Sequence, residues 1–392
     1  MTPPAPPPDN PLPRSLWALM MGNFVIGTGV MVVPGTLNDI SASLNVSIPQ
    51  AGQLITAAAI LMGLGAPAFA TLVAGWDRRR LLTLSLVWYA LLTAICALAP
   101  SYATLLPLRV LAVIAPAVFT PQAAASVGLL VSPAQRGRAI TFVFLGWSVA
   151  SVMGMPLSAW IGGTLGWRWA FGLVALMSLV SAAWVWREMP NGIRPAALSR
   201  QAWGQTLGSA PLMLAVGVTL LSAFGQFTLF SYFAPYFFQT LGLGGAALSL
   251  MFLWFGAFGL AGNVGLSRWI DRIGAPRAVL LTLGAMVLTL LLWPLGQAGI
   301  WQQALVLVPW ALGCFACNSA QQARLVHLSP ALAPATVALN TSAMYGGQAL
   351  GAALGGILIA QGHMLRLHQV GLVVLILAMA LSVWAARAQK RS

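Results

Sequence analysis

The sequence predicts an all-α membrane protein with twelve transmembrane helices arranged as two six-helix bundles. The 392-residue chain is 59% hydrophobic and only 6% charged, whereas a soluble domain carries about 25% charged residues. Several uncharged stretches reach about 18 residues, which is long enough to cross roughly 30 Å of hydrocarbon. Twelve apolar stretches lie along the chain, six on each side of one polar segment.

The twelve expected spans follow one another with short polar connections. They cover residues 15–38, 48–74, 81–100, 102–131, 139–163, 167–187, 210–240, 245–267, 277–297, 301–326, 335–360 and 367–387. We expect an N-terminal bundle at 15–187 and a C-terminal bundle at 210–388, joined by a cytoplasmic linker at 188–209. The Pro-rich residues 1–14 are expected to form a disordered cytoplasmic tail, and residues 389–392 a second tail.

Positive charge indicates how the spans are oriented. The chain has 19 lysines and arginines against five acidic residues, a net charge of +14. With the N-terminus inside, only Arg168 and Arg366 fall in outer connections and Arg109 falls within a span, while all other cations lie inside. This excess predicts that both termini are cytoplasmic. Because the cations lie between apolar runs, the basic balance does not indicate nucleic-acid binding.

The two halves repeat at a constant offset of about 197 residues. The tripeptide at 132–134 matches that at 329–331, Gly154 matches Gly351, and Arg80 matches Arg277. Six spans is an even number, so the halves share one orientation and are expected to be related by an axis along the membrane normal. Such an arrangement predicts a midplane cavity between two rigid halves.

The connections after spans 2 and 8 carry related charged sequences. The first reads LVAGWDRRRLL at 72–82 and the second SRWIDRIGAPR at 267–277. The candidate gating residues are Asp77, Arg78, Arg79 and Arg80 in the first, and Asp271, Arg272, Gly274 and Arg277 in the second. An aspartate there can pair with a neighbouring arginine or cap a helix end. Ordinary positive-inside charge also explains the arginines.

Span 5 is rich in glycine and proline. It reads GWSVASVMGMPLSAWIGGTLGWRWAF at 146–171, and its marked residues are Gly154, Pro156, Gly162, Gly163 and Arg168. Small residues recur at every fourth position, which permits close helix contact, and proline bends a helix. Span 11 repeats this spacing at Gly347, Gly351 and Gly355. We expect both stripes to meet partner helices at the bundle interface.

Together these features resemble the major facilitator superfamily, and within it the drug:proton antiporter group that includes arabinose-efflux-permease-like exporters. The resemblance covers residues 15–388. Span 4 adds a third match, because Leu105 and Arg109 fit the family pattern Leu-x-x-x-Arg-x-x-Gln-Gly. Ala112 and Val113 stand in place of the glutamine and glycine, and Ala74 replaces an expected aspartate in the first gating loop.

The resemblance implies the major facilitator fold and alternating access around a cavity lined by spans 1, 4, 7 and 10. It implies that the loop after span 2 latches the halves in the outward-facing state. It also implies that span 5 is a hinge specific to exporters and that the span-4 arginine takes part in proton coupling.

Arg109 is the charge that needs an explanation. An arginine at mid-span costs about 2.5–3.5 kcal/mol on insertion scales, so it requires a cavity or a partner. Three roles stay open: binding an anionic group of the substrate, joining a proton-linked hydrogen-bond network, or bonding backbone carbonyls as a structural residue. Family exporters often carry an acid in span 1, but Gly29 stands near that place. Asp39 is the only acid on the outer side and is therefore the candidate partner.

The remaining candidate pathway residues are aromatic or polar side chains on cavity spans and on span 11. They are Asn23 in span 1; Gln226, Phe230 and Phe233 in span 7; Asn318 and Gln322 in span 10; and Asn340, Tyr345 and Gln348 in span 11. Such a lining suits a largely apolar ligand with hydrogen-bonding groups. For any single aromatic residue, contact with lipid or a neighbouring helix is the alternative.

The sequence points to transport and not to an enzyme. Cys314 and Cys317 lie within a span without a neighbouring histidine, so we expect packing residues and no metal site. No cofactor is expected, and the lack of a Walker loop excludes ATP-driven transport on this chain. We expect a monomeric exporter of small organic compounds in a bacterial-type inner membrane, driven by proton exchange. The alternatives are a uniporter or importer of small organic anions bound by Arg109, and a non-transporting membrane receptor or scaffold.

Overall fold

The computed structural model describes residues 12–73, 75–132, 135–194, 200–329 and 332–389. Within these ranges the chain is helical and contains no strand. The α-helices are Arg14–Gly35, Leu37–Ser43, Ile48–Leu72, Arg78–Ala97, Tyr102–Ala112, Ile114–Leu130, Arg136–Leu165, Trp167–Glu188, Arg200–Gly208, Ala210–Phe230, Phe233–Leu241, Gly245–Ile273, Ala275–Gly296, Ile300–Leu328, Ala333–Ala360 and Leu367–Gln389. The 3₁₀ turn Met364–Arg366 precedes the last helix.

Twelve segments of the described chain are long and apolar enough to cross a membrane, which confirms the predicted number. We number them spans 1 to 12 in chain order. They are Arg14–Gly35, Ile48–Gly65, Arg78–Ala97, Tyr102–Leu130, Ala139–Leu165, Trp167–Glu188, Ala210–Leu241, Gly245–Ile270, Ala275–Gly296, Ile300–Leu328, Ala335–Ala360 and Met364–Arg387. Twelve is even, so both ends of the chain lie on one face, which we call the linker face. The connection after span 1 lies on the opposite face.

Three predicted segments fall partly outside the described residues. Residues 1–11 of the expected N-terminal tail and 390–392 of the C-terminal tail are not described. Residues 195–199 of the linker are not described either, whereas Arg200–Gly208 forms a short helix before span 7. The bundle limits drawn from the sequence at 15–187 and 210–388 therefore stay predictions.

Spans 4 and 7 are each broken into two helices. In span 4 the first helix ends at Ala112, and in span 7 it ends at Phe230. Pro116 and Pro235 each follow the break, inside the first turn of the second helix. Proline has no N–H and cannot donate to the residue four positions before it, so the helical ladder is interrupted at both places. The break in span 4 lies four residues after Arg109.

Within each half, glycines bring pairs of helices into backbone contact. A Cβ atom at Gly146 of span 5 would lie 2.1 Å from the carbonyl oxygen of Met20 in span 1. A Cβ atom at Gly347 of span 11 would lie 2.2 Å from the carbonyl oxygen of Leu220 in span 7. The small-residue stripes therefore pack spans 5 and 11 against spans 1 and 7 inside their own bundles. They do not form the contact between the halves that the sequence led us to expect.

Adding a methyl group at Gly146 is expected to destabilise the protein. The Gly146→Ala side chain would overlap the Met20 carbonyl, and overpacking of this kind costs about 1–3 kcal/mol. Gly172→Ala is the matched control, because a Cβ atom at Gly172 meets nothing within 4 Å. Alanine is also more favourable than glycine in a helix by about 1 kcal/mol. Thermal unfolding of the purified variants would test this pair. Equal melting temperatures for both variants would contradict the contact.

The two halves meet through a different set of small residues. A Cβ atom at Gly256 of span 8 would lie 2.5 Å from Cα of Val152 in span 5. A Cβ atom at Gly63 of span 2 would lie 3.1 Å from the backbone nitrogen of Gly346 in span 11. At the face opposite the linker, a Cβ atom at Gly163 of span 5 would lie 3.0 Å from Cα of Gly245 in span 8. The halves are thus in contact from that face to the middle of the spans.

Candidate functional site

Arg109 lies in the interior of the protein, close to where the halves meet. It occupies the last turn of the first helix of span 4, and only 3% of the residue is exposed. Seven residues separate it from the start of that helix at Tyr102, which places it roughly 10 Å along the span. The negative end of the helix dipole favours a cation at this position.

The guanidinium of Arg109 is bonded to a backbone carbonyl and lies beside the Tyr89 hydroxyl oxygen. Its Nη2 donates to the carbonyl oxygen of Gly29 in span 1, at 2.9 Å. The ring of Phe171 lies 6.0 Å from the guanidinium carbon. Nε and Nη1 are buried and have no hydrogen-bond partner among the described residues. The predicted contact with Asp39 is wrong, because the arginine uses a backbone carbonyl and Asp39 lies in another cleft, which is described below.

The Tyr89 side chain lies against Gly29 of span 1. A Cβ atom at Gly29 would lie 2.1 Å from the Tyr89 hydroxyl oxygen, so the phenol occupies the space that a side chain would need. Tyr89 is fully buried with its hydroxyl oxygen beside the Arg109 guanidinium, and its O–H proton donates to no described residue. Sequence reasoning missed Tyr89, because a tyrosine in span 3 carries no signal of its position.

Two residues of span 11 reach this site from the other half. Tyr345 is buried in one apolar cluster with Val30 of span 1, Met62 of span 2 and Val113 of span 4. Gln348 lines a small cavity with Arg109. The remaining lining residues are Val30, Val33, Leu54, Ile55, Ala58, Ala59, Met62 and Val113. The cavity volume is about 10 Å³, which is roughly the room that one water molecule needs.

Asn23 lies away from this cavity, in the contact between spans 1 and 5. Its amide nitrogen donates to the carbonyl of Val143 at 3.1 Å, and its amide oxygen accepts from Thr120 at 3.0 Å. The indole of Trp147 donates to the same Thr120 hydroxyl at 3.2 Å. These bonds join spans 1, 4 and 5 of one bundle, so the structure gives Asn23 a bonded position inside the bundle.

Two predicted amide residues of the second half, Asn318 and Asn340, belong to a hydrogen-bond network inside that half. The Thr219 hydroxyl donates to the Asn340 side-chain oxygen at 2.5 Å, and the Gln321 amide donates to the Thr219 hydroxyl at 3.1 Å. Asn340 also donates to Asn318 at 3.2 Å. Asn340 is fully buried, whereas Asn318 and Gln322 are partly exposed. This network joins spans 7, 10 and 11.

The aromatic residues predicted in span 7 pack against rings of their own bundle. Phe233 lies 5.3 Å from Trp310 and 5.9 Å from Trp293, and Phe230 lies 5.5 Å from Phe255. Phe230 and Phe233 are at most 5% exposed, so in this conformation neighbouring side chains cover both rings. Gln226 donates its amide to the sulfur of Met286 at 3.7 Å.

A second buried arginine lies in span 10 and was assigned by sequence to the inner connection. Arg324 is 1% exposed. Its Nη1 donates to the Ser382 hydroxyl at 3.1 Å and its Nη2 to the Ser382 carbonyl at 3.4 Å, both on span 12. Arg324 is thus bonded near the linker face through both Nη1 and Nη2, whereas Arg109 in the interior bonds a carbonyl through Nη2.

Asp39 lines a cleft at the face opposite the linker. It belongs to the short helix Leu37–Ser43, and one carboxylate oxygen would lie 2.7 Å from a Cβ atom at Gly162. Arg168 lines the same cleft but donates to the Ser43 hydroxyl and to the Ala99 carbonyl, each at 3.0 Å. Burial raises the pKa of the Asp39 carboxyl above its ordinary value.

Among the span-5 residues, Pro156 is buried within the helix.

Asp39→Asn is expected to raise stability at neutral pH. A carboxyl whose pKa is raised by folding favours the folded state below its ordinary pKa of 3.8, and this contribution is lost as pH rises through the raised value. At pH 7 the variant is expected to melt a degree or two higher, because the group is partly solvated. The gap between variant and wild type is expected to close near pH 4. A constant gap from pH 4 to 7 would contradict this reasoning.

The loop after span 2 is tied to the start of the linker. Asp77 caps the helix of span 3 by accepting from the backbone N–H of Arg80 at 3.3 Å, and its other oxygen accepts from the N–H of Gly192 at 2.6 Å. Arg79 donates to Asn191 at 3.1 Å and lies 4.4 Å from the ring of Trp186. The Arg78 N–H donates to the Ile193 carbonyl at 2.9 Å. The predicted capping role of Asp77 is confirmed.

The equivalent loop after span 8 is built differently. Gly274 joins the helices of spans 8 and 9 with φ +81, a conformation that favours glycine. Arg272 lies 5.9 Å from the ring of Trp269, and Arg277 lies in the first turn of span 9. The side chain of Asp271 lies outside the described residues, so its predicted gating role stays a prediction.

Known proteins resemble this chain over nearly its whole length. The family model described as "Major Facilitator Superfamily" matches residues 19–352. A chloramphenicol resistance protein of Streptomyces lividans is 32% identical over 348 residues, which cover 86% of this chain and 88% of that protein. A probable sugar efflux transporter of Pasteurella multocida is 26% identical over 336 residues, covering 86% and 83%. The crystal structure of a D-xylose-proton symporter superposes with a TM-score of 0.74 at 17% identity, covering 94% and 96%.

Proposed function

The chain belongs to the Major Facilitator Superfamily and is a transporter, and we propose that it exports small organic compounds in exchange for protons. The two halves rock about their shared contacts, so that the site at Arg109 opens alternately to the two sides of the membrane. Names of relatives support export, since one is named a probable sugar efflux transporter and another a chloramphenicol resistance protein. The substrate itself follows from neither name.

The observation that carries the proposal is the position of Arg109. A buried guanidinium with unused N–H groups lies where residues of span 11 meet spans 1, 2 and 4. In this conformation contacts between the halves run from the face opposite the linker to the middle of the spans. A site held between two halves and closed from one face is what alternating access requires.

We place the linker face in the cytoplasm of a bacterial-type inner membrane. The excess of arginines on that face supports this orientation, which makes the opposite face the outer one and the present conformation closed to the outside. Both termini are then cytoplasmic, and the transporter works as a monomer within the lipid bilayer. Among the proposed pathway residues, Arg109, Tyr345 and Gln348 are those brought together at the site.

Vesicle transport tests the proposal. Proteoliposomes containing the purified protein would be loaded with a mixture of sugars, phenicol antibiotics and organic acids, and release would be followed with and without a pH gradient. Faster release under an imposed gradient, lost when an ionophore collapses it, is the expected result. Release that ignores the gradient would refute proton exchange but leave transport in place, and release no faster than from protein-free vesicles would refute transport.

The second candidate is a uniporter or importer of small organic anions bound by Arg109. One observation favours it: among the described residues, the interior of the spans contains no carboxylate that could carry a proton, since Glu188 lies at the end of span 6. Uptake of a labelled anion down its own gradient, without acidification, would distinguish this candidate from the antiporter.

A further inference from the structure

We propose that the site at Arg109 takes the carboxylate of a small organic acid with an apolar body. Arg109 and Tyr89 bind the carboxylate from the first half, and Gln348 and Tyr345 approach it from the second. The inference rests on the proposed transport function and names the substrate class for that site. Four features of the site support it.

The first feature is the free edge of the guanidinium. Arginine has five N–H groups in a planar fork, and Arg109 uses one of them, on Nη2, for Gly29. Nε and Nη1 have no partner among the described residues. Whichever hydrogen of Nη2 is used, either the Nε–Nη2 edge or the Nη1–Nη2 edge stays free. Each edge matches a carboxylate through two parallel hydrogen bonds.

The second feature is a further free donor at the same place. The Tyr89 hydroxyl is buried with its oxygen beside the Arg109 guanidinium, and its O–H proton donates to no described residue. Buried polar atoms are normally paired, so two neighbouring side chains with unused donors indicate a missing acceptor. A carboxylate has room for about four hydrogen bonds and can accept from both side chains.

The third feature is the sign of the charge. In the described part of the spans no carboxylate lies near Arg109, and the guanidinium is bonded to a neutral carbonyl. A cationic substrate would be repelled by this uncompensated charge, and a neutral one would leave it uncompensated. A single anionic group neutralises the site, and pairing with it lowers the free-energy cost of burying the guanidinium away from water.

The fourth feature is the set of side chains that line the cavity around the charge. Apart from Arg109 and Gln348 the cavity is lined by aliphatic side chains and one methionine, which suits an apolar body. Its volume of about 10 Å³ admits no such body while Tyr345 packs among Val30, Met62 and Val113. The acid therefore enters when Tyr345 of the second half withdraws from the first, so binding is coupled to separation of the halves.

Binding of benzoate to the purified full-length protein tests the proposal. Benzamide is a neutral analogue of the same shape, and benzylammonium is a cationic compound with the same ring. The affinity of each of the three compounds would be measured at pH 7 by calorimetry and by thermal unfolding. We expect benzoate to bind at least about tenfold more tightly than benzamide, and benzylammonium not to bind. Equal affinities for benzoate and benzamide would overturn the proposal, even if transport of other compounds is intact.

Two variants connect the discrimination to the named groups. Tyr89→Phe removes only a hydroxyl that donates to no described residue, so we expect unchanged folding and about three- to tenfold weaker benzoate binding. Arg109→Lys keeps a charge but loses the fork, and we expect the preference for benzoate to fall by about tenfold. Arg324→Lys is the matched control at a buried arginine with bonded partners, and it should leave the preference unchanged. Loss of the preference in the control alone would also overturn the assignment.

Discussion

Arg109→Gln is expected to reduce substrate transport about 10- to 150-fold while the yield of folded protein stays near that of the wild type. The loss follows from removing a charged hydrogen-bond donor from a buried site, which is worth about 1.5–3 kcal/mol. Initial rates in proteoliposomes of matched protein content, set against size-exclusion profiles of the same preparations, measure both quantities.

The unchanged yield is the informative half of this result. A buried arginine in a span costs about 2.5–3.5 kcal/mol on insertion scales, and Arg109 recovers part of this cost through one hydrogen bond to Gly29. Glutamine removes the charge together with that bond, so the net change in folding free energy is expected to be small. An arginine kept for structure would show the opposite pattern.

Arg324 provides the matched comparison. Its guanidinium donates to both the hydroxyl and the carbonyl of Ser382, so Arg324→Gln is expected to lose contacts between spans 10 and 12 and to lower the melting temperature. Normal yield with lost transport for Arg109, and lower stability for Arg324, would separate the two roles. A fall in yield for Arg109→Gln equal to that of Arg324→Gln would assign Arg109 to structure and contradict the expected result.

Span number was predictable because it depends only on the length of uncharged segments. The breaks in spans 4 and 7 were not predicted, although Pro116 and Pro235 each follow an interruption. A proline signals a break only when its position in the helix is known, because Pro156 lies inside the continuous helix of span 5. Helix boundaries thus needed the structure even though the spans did not.

The partner of Arg109 could not be found from the sequence. Asp39 was the natural candidate because acidic residues can be identified in a sequence. The actual acceptor is the backbone carbonyl of Gly29. Every residue has a backbone carbonyl, so the sequence does not show which one is used. Tyr89 was missed for a related reason. Its contact with Gly29 depends on how spans 1 and 3 cross, and this crossing is set by packing and not by periodicity.

The aromatic residues of span 7 show a different limit. Phe230 and Phe233 have the spacing of one helix face, and the resemblance to transporters assigned that face to the cavity. In the structure the same face meets Phe255, Trp293 and Trp310 of spans 8, 9 and 10. A stripe of rings at helical spacing identifies a buried face, but not whether protein or ligand covers it.

Gly256→Leu is expected to reduce transport strongly by preventing the halves from reaching the present closed arrangement. A Cβ atom at Gly256 would lie 2.5 Å from Cα of Val152 and 3.0 Å from the Ser151 carbonyl oxygen, both on span 5 of the other half. Overpacking costs about 1–3 kcal/mol, which shifts a two-state equilibrium about 5- to 150-fold. Contacts within each half are untouched, so the protein should still fold.

The matched control for Gly256→Leu is a substitution at Gly265 on the same helix. A Cβ atom at Gly265 meets nothing within 4 Å. Gly265→Leu is therefore expected to transport normally. Spin labels at Ala42→Cys and Gln239→Cys would report the distance between the halves at the face opposite the linker, with Cys96, Cys314 and Cys317 buried. We expect a longer distance in Gly256→Leu and no change in Gly265→Leu. Because spans 5 and 8 belong to different halves, an unchanged distance together with normal transport in Gly256→Leu would mean that this contact does not control closure.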